Sequence, residues 1–141
     1  MTNPTLVARK LALMHEHLRR LRERRPNDLA SFEKDLLLQD AIALGVLVVV
    51  QEATDIALHI ASDQSWELAA TVRDAFMVLA QHGVIDPSLA AALAGSAQLR
   101  NRIAHGYASL DVGRLWTELP SGVASFEAFA AAIAAFLQRA P

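Results

Sequence analysis

The sequence predicts an all-α protein, a bundle of five or six helices around one long central helix. Three observations carry this. Alanine and leucine dominate a chain that is 53% hydrophobic but only 6% aromatic, a balance that suits packed helices better than a sandwich or barrel. Apolar residues recur at alternating spacings of three and four over long windows. Helix start and stop residues punctuate those windows. A length of 141 residues suits one domain, residues 1–141, with enough apolar surface to form a core unaided.

Val7, Leu11, Met14, Leu18 and Leu21 define the first helix, from about 4 to 24. Seven of the thirteen lysines and arginines lie within residues 9–25. Cations at the end of that helix complement its dipole, and an RNA-backbone or acidic-partner patch is the functional alternative. Pro26-Asn27-Asp28 reads as a turn with Asp28 as a cap. The next helix is expected to run unbroken from 29 to 62, with Phe32, Leu36, Val46, Ala53, Ile56 and Ile60 on its buried stripe. The β-branched run Val46-Leu47-Val48-Val49-Val50 belongs to it, because helical periodicity continues on both sides. Its apolar middle suggests a second face for a partner.

Residues 62–70 read as a connection. Thr71 and Asp74 form a capping box, Gly83 ends a short helix, and Asp86-Pro87 opens the next. That helix carries the chain to residue 105. A further piece with Val112, Leu115, Trp116 and Leu119 is expected to be interrupted by Pro120-Ser121-Gly122 before a last amphipathic segment through Leu137.

Several chemistries lack their residues. There is no cysteine, so disulfides and thiolate metal sites are excluded and a cytoplasmic setting is expected. His15 and His17 are two apart, which on a helix is poor metal geometry, and no Glu-x-x-His pairs occur. No Gly-rich phosphate loop is present, and no metal or other cofactor is expected. His59 reads as an interhelical histidine and His82 as a helix-end histidine. The apolar run Ala41–Val50 is about half the length needed to span a bilayer, so no membrane partner is expected. A net charge of −2 restricts any RNA contact to a local patch.

One decapeptide stands apart, Gln98-Leu99-Arg100-Asn101-Arg102-Ile103-Ala104-His105-Gly106-Tyr107, which includes the only tyrosine. Its residue types suit RNA cleavage without a metal. A histidine can take the proton of a ribose 2′-hydroxyl, and an arginine can hold phosphoryl oxygens as charge builds. Asn101, four residues before His105, shares its stripe and can orient it or the phosphate. Arg100 and His105, five apart, diverge by about 140° on an ideal helix. They converge by reaching around the helix, by deformation at Gly106, or across a two-fold axis. A single histidine also leaves the leaving 5′-oxygen without an acid, and a second copy would supply one. The same residues also occur as ordinary caps and surface pairs, and spacing alone does not choose.

Arg100, four residues, His105, one residue, Tyr107 resembles the Arg-x4-His-x-Tyr signature of HepT-like toxins of the HEPN superfamily. The segments Phe32–Asp35, Asp55–Ile60 and Phe76–Ile85 resemble that family in order as well. The resemblance spans roughly residues 5–138. It implies a homodimeric endoribonuclease toxin with a composite cleft, in which Arg100 and His105 are catalytic and Asn101 assists. It also implies a minimal nucleotidyltransferase antitoxin as partner, which transfers AMP onto Tyr107. The alternative is a non-catalytic helical module that binds a nucleotide or a partner protein at the same place.

Overall fold

A computed structural model describes residues 3–106 and 110–139, which form six α-helices and no strand. The first, α1, runs Pro4–Arg24 and buries Val7, Leu11, Met14, Leu18 and Leu21 as expected. The Asn3 side chain accepts from the Thr5 and Leu6 amides, 3.1 and 3.2 Å, and caps its start. Pro26 ends it, since the preceding residue, Arg25, is pushed to extended backbone.

The expected helix over 29–62 is two helices, α2 (Leu29–Lys34) and α3 (Leu36–Asp63). The break falls on Asp35, which closes one and caps the other. Its Oδ1 accepts from the Leu38 amide at 3.0 Å, the short-range bond that draws aspartate out of helix interiors. The Phe32 carbonyl accepts from the Asp35 amide at 3.2 Å, and the buried Gln39 Nε2 donates to the carbonyls of both Phe32 and Glu33 at 2.9 and 3.2 Å. Beyond the break α3 is continuous for 28 residues, about 42 Å, and the valine run is helical. Packing by α1, α2, α4, α5 and α6 makes α3 the centre of the bundle. α1 approaches it closely at Gly45, where a Cβ would lie 2.8 Å from Leu21 Cδ2. Leu36, expected on the buried stripe, is exposed at the start of α3, and Leu37, Leu44 and Leu58 form an apolar outer face of the kind its composition suggested.

The connection begins after Asp63. Trp66 stacks on His82 with ring centroids 4.1 Å apart, and His82 Nε2 bonds Glu67 at 2.9 Å. α4 (Val72–Gln81) is capped by Thr71, whose hydroxyl accepts from the Asp74 amide at 3.1 Å. His82 is its C-cap, and Gly83 takes φ +75°, a left-handed conformation that suits glycine. α5 (Pro87–His105) starts at the proline, although the Asp86 side chain makes no capping bond.

Pro120-Ser121-Gly122 does not interrupt the last helix. α6 runs from Val112 to Arg139 with Pro120 inside it. A mid-helix proline deprives the carbonyl four residues back of its donor, here that of Trp116. Arg25 Nε donates to that carbonyl at 2.9 Å. Its guanidinium lies 4.0 Å from the Trp116 ring centroid, and Trp116 Nε1 donates to the Pro26 carbonyl at 2.9 Å. One expected helix is split and two are fused, so the count of six rests on different boundaries.

Candidate active site

The second half of α5 carries the polar decapeptide as far as Gly106. The helix is regular through His105, and the Gly106 amide closes its last turn on the Arg102 carbonyl at 2.9 Å. Any irregularity at Gly106 therefore comes after both Arg100 and His105 and does not turn one toward the other. Within one chain they remain about 140° apart. Arg100 is half-buried, with Nη1 donating to Asn101 Oδ1 at 3.4 Å, while Asn101, Arg102 and His105 are exposed. Tyr107 lies outside the described residues.

One stripe of α5 changes character along its length. Ala90, Ala94 and Ala97 are buried, and the next positions on that side, Asn101, Ala104 and His105, are exposed. Helix lengths account for this. The neighbouring α4 has ten residues against nineteen in α5, about 15 Å against 28 Å, and the short 82–86 turn makes the pair antiparallel. Past the start of α4 the face continues as an open shelf that presents Asn101 and His105 together. Their spacing of four brings their side chains to neighbouring positions.

The other basic cluster has a different character. At the end of α1, Arg19 binds Glu23 and Glu16 at 2.8 and 2.7 Å, Arg20 binds Glu16 at 3.0 Å, and Arg22 pairs with Glu127. The Arg19 hydrogen bond holds the Glu16 carboxyl below its usual pKa. These arginines are internally paired as well as matched to the dipole, which favours the structural reading of the cluster. Among the described residues no group of three or more His, Asp or Glu is placed to hold a metal ion. His59 bridges elements as expected, accepting from the Asn3 amide at 3.3 Å.

Sequence reasoning did not find a groove of about 380 Å³ between α5 and α6, floored by Leu18, Leu21, Val46 and Val49. Gln98 and Leu99, directly before Arg100, form part of its wall. The sequence marks only the stripe beside it, since Gln98, Asn101 and His105 stand three and four apart.

Residues 14–133 match the family described as Ribonuclease HepT-like. The chain belongs to the HepT-like ribonuclease family. It is 28% identical over 143 residues to the tRNA nuclease HepT of Aphanizomenon flos-aquae, covering 97% of this chain and 95% of that one. It is 28% identical over 124 residues to the mRNA nuclease HepT of Shewanella oneidensis, covering 88% and 92%. Its fold is similar to that of a tri-AMPylated Shewanella oneidensis HEPN toxin solved in complex with an MNT antitoxin, with a TM-score of 0.86 and 28% identity over 94% of this chain and 98% of that one. The HepT-like resemblance read from Arg100, His105 and Tyr107 is borne out, as is the all-helical fold.

Proposed function

We propose that this HepT-like protein is the toxin of a toxin–antitoxin pair and a metal-independent endoribonuclease acting in the cytoplasm as a homodimer. The observation that carries this is the open shelf at the end of α5. It sets His105 and Asn101 together in solvent, with Arg100 turned about 140° from His105, on a chain whose relatives are named as RNA nucleases.

His105 of one copy takes the 2′-hydroxyl proton, and the 2′-oxygen attacks the adjacent phosphorus. The bond from phosphorus to the 5′-oxygen breaks, leaving a 2′,3′-cyclic phosphate. His105 of the second copy gives its proton to the departing 5′-oxygen. Arg100 donates paired hydrogen bonds to the non-bridging oxygens, and Asn101 orients the histidine or the phosphate. The divergence of Arg100 and His105 within one chain supports a cleft shared by two copies.

Control is assigned to a minimal nucleotidyltransferase antitoxin that transfers AMP to Tyr107, as the AMPylated relative in its antitoxin complex suggests. An adenylate two residues from His105 in the chain brings an anionic phosphate and a base that compete with RNA for Arg100. The purified protein should cleave RNA in EDTA to cyclic-phosphate ends, and His105→Ala should not. Equal behaviour of the two proteins on a broad RNA panel would reject the nuclease reading. Co-expression with the antitoxin should yield adenylate adducts by intact mass, absent in Tyr107→Phe. Neutralisation of Tyr107→Phe without adducts would replace modification by burial.

A further inference from the structure

The groove between α5 and α6 has no role in the chemistry above, yet it opens beside it. Gln98 lines the groove and also precedes Asn101 and His105 on their stripe, with Arg102 four residues further on. From Gln98 to His105 is about 10 Å along the helix axis. A single nucleotide covers such a span from base edge to phosphate. The volume of about 380 Å³ falls within the range of small-molecule sites, and apolar side chains with a few polar groups are the usual lining.

Most of the polar groups are acceptors. The hydroxyls of Ser96, Ser121 and Ser125 already donate to the carbonyls of Ala92, Glu118 and Ser121, at 3.5, 3.0 and 3.0 Å. Toward the groove they offer lone pairs. Glu118 adds a carboxylate, and Arg114, which also lines the groove, adds a guanidinium held to it at 2.9 Å. Gln98 alone brings an amide with both a donor and an acceptor. An acceptor-rich slot suits a base with an exocyclic amine. At its catalytic end, Arg102 supplies positive charge for a phosphate.

We infer that the α5–α6 groove is a nucleobase subsite for the substrate RNA, selecting amino-bearing bases (adenine, cytosine or guanine) over uracil, with Gln98 as its specificity-determining residue. The inference deepens the nuclease reading and rests on it for the identity of the ligand. Room exists to test it, because a Cβ built on Gly95 or Gly122 meets nothing within 4 Å. Gly95→Leu therefore fills the groove without a backbone clash.

The experiment titrates the intact protein with the four ribonucleoside 3′-monophosphates, and separately with inorganic phosphate, following backbone amides by NMR. Saturable shifts are expected at Gly95 and Gly122 with the amino-bearing nucleotides, at least three-fold weaker binding with uridine 3′-monophosphate, and no groove response to phosphate alone. Gly95→Leu should remove the groove response while residues 100–105 still answer to phosphate. Gln98→Ala should flatten the preference between bases. Shifts confined to residues 100–105 for every nucleotide would overturn the assignment. So would groove signals that follow protein concentration instead of nucleotide, which would make the groove an interface between copies. The readout is binding, so a protein that fills its groove yet leaves RNA intact retains the subsite and loses the nuclease reading.

Discussion

Arg25 Nε donates a 2.9 Å hydrogen bond to the carbonyl of Trp116, the group that Pro120 leaves without its helical donor. An arginine in the α1–α2 turn thereby replaces a backbone bond in the middle of α6. Its guanidinium also covers the Trp116 ring, so one side chain repairs the ladder and packs the turn against it.

Arg25→Ala should cost about 2 kcal/mol, the range for a lost hydrogen bond from a charged donor to a partly buried acceptor. Pro120→Ala restores an amide at that position. In its background the cost of Arg25→Ala should shrink markedly, a coupling measurable by urea denaturation of the four proteins. Strict additivity would show that the two residues act independently.

Thr71→Ala should destabilise the protein by about 1 kcal/mol, because the Asp74 amide loses its acceptor at the start of α4. Thr71→Ser should retain most of that stability. Thermal melts of the three proteins compare them directly.

The pair Lys10–Glu52, 3.2 Å, and its companion Lys10–Asp55, 3.2 Å, tie α1 to α3. Burial pulls the Lys10 pKa down, but the hydrogen bonds and charges of Glu52 and Asp55 outweigh it and hold it above the ordinary 10.5. A pKa raised by folding stabilises fully below the unfolded value, and that contribution is lost as pH rises through the folded one. Lys10→Met should therefore be less stable than wild type by about 1 kcal/mol near neutrality. The gap should narrow above pH 10.5. Denaturant midpoints measured from pH 7 upward test the sign.

These relationships mark where the sequence was legible. Thr71, Gly83 and Pro87 act within a turn of themselves, so the boundaries of α4 and the start of α5 follow from local chemistry. The stripe Val7–Leu21 repeats often enough to place α1. Asp35 was harder, because its break depends on Gln39 turning inward to serve two carbonyls. Pro120 reads as a stop unless its missing donor is known to come from Arg25, a partner 91 residues before Trp116. The candidate site divides in the same way. Arg100, Asn101 and His105 were visible as residue types at fixed spacing. The shelf depends on α4 ending short of α5, and the groove on how far α6 stands from α5, neither of which any short window contains.

Catalysis as proposed needs two copies of α5, one histidine acting as base and the other as acid. A covalently linked tandem dimer with His105→Ala in one copy tests it against the linked wild type on the same RNA. Cleavage should slow at least about a hundred-fold, the scale of one general acid or base. Half the wild-type rate would contradict it, since each chain would then carry a complete site of its own.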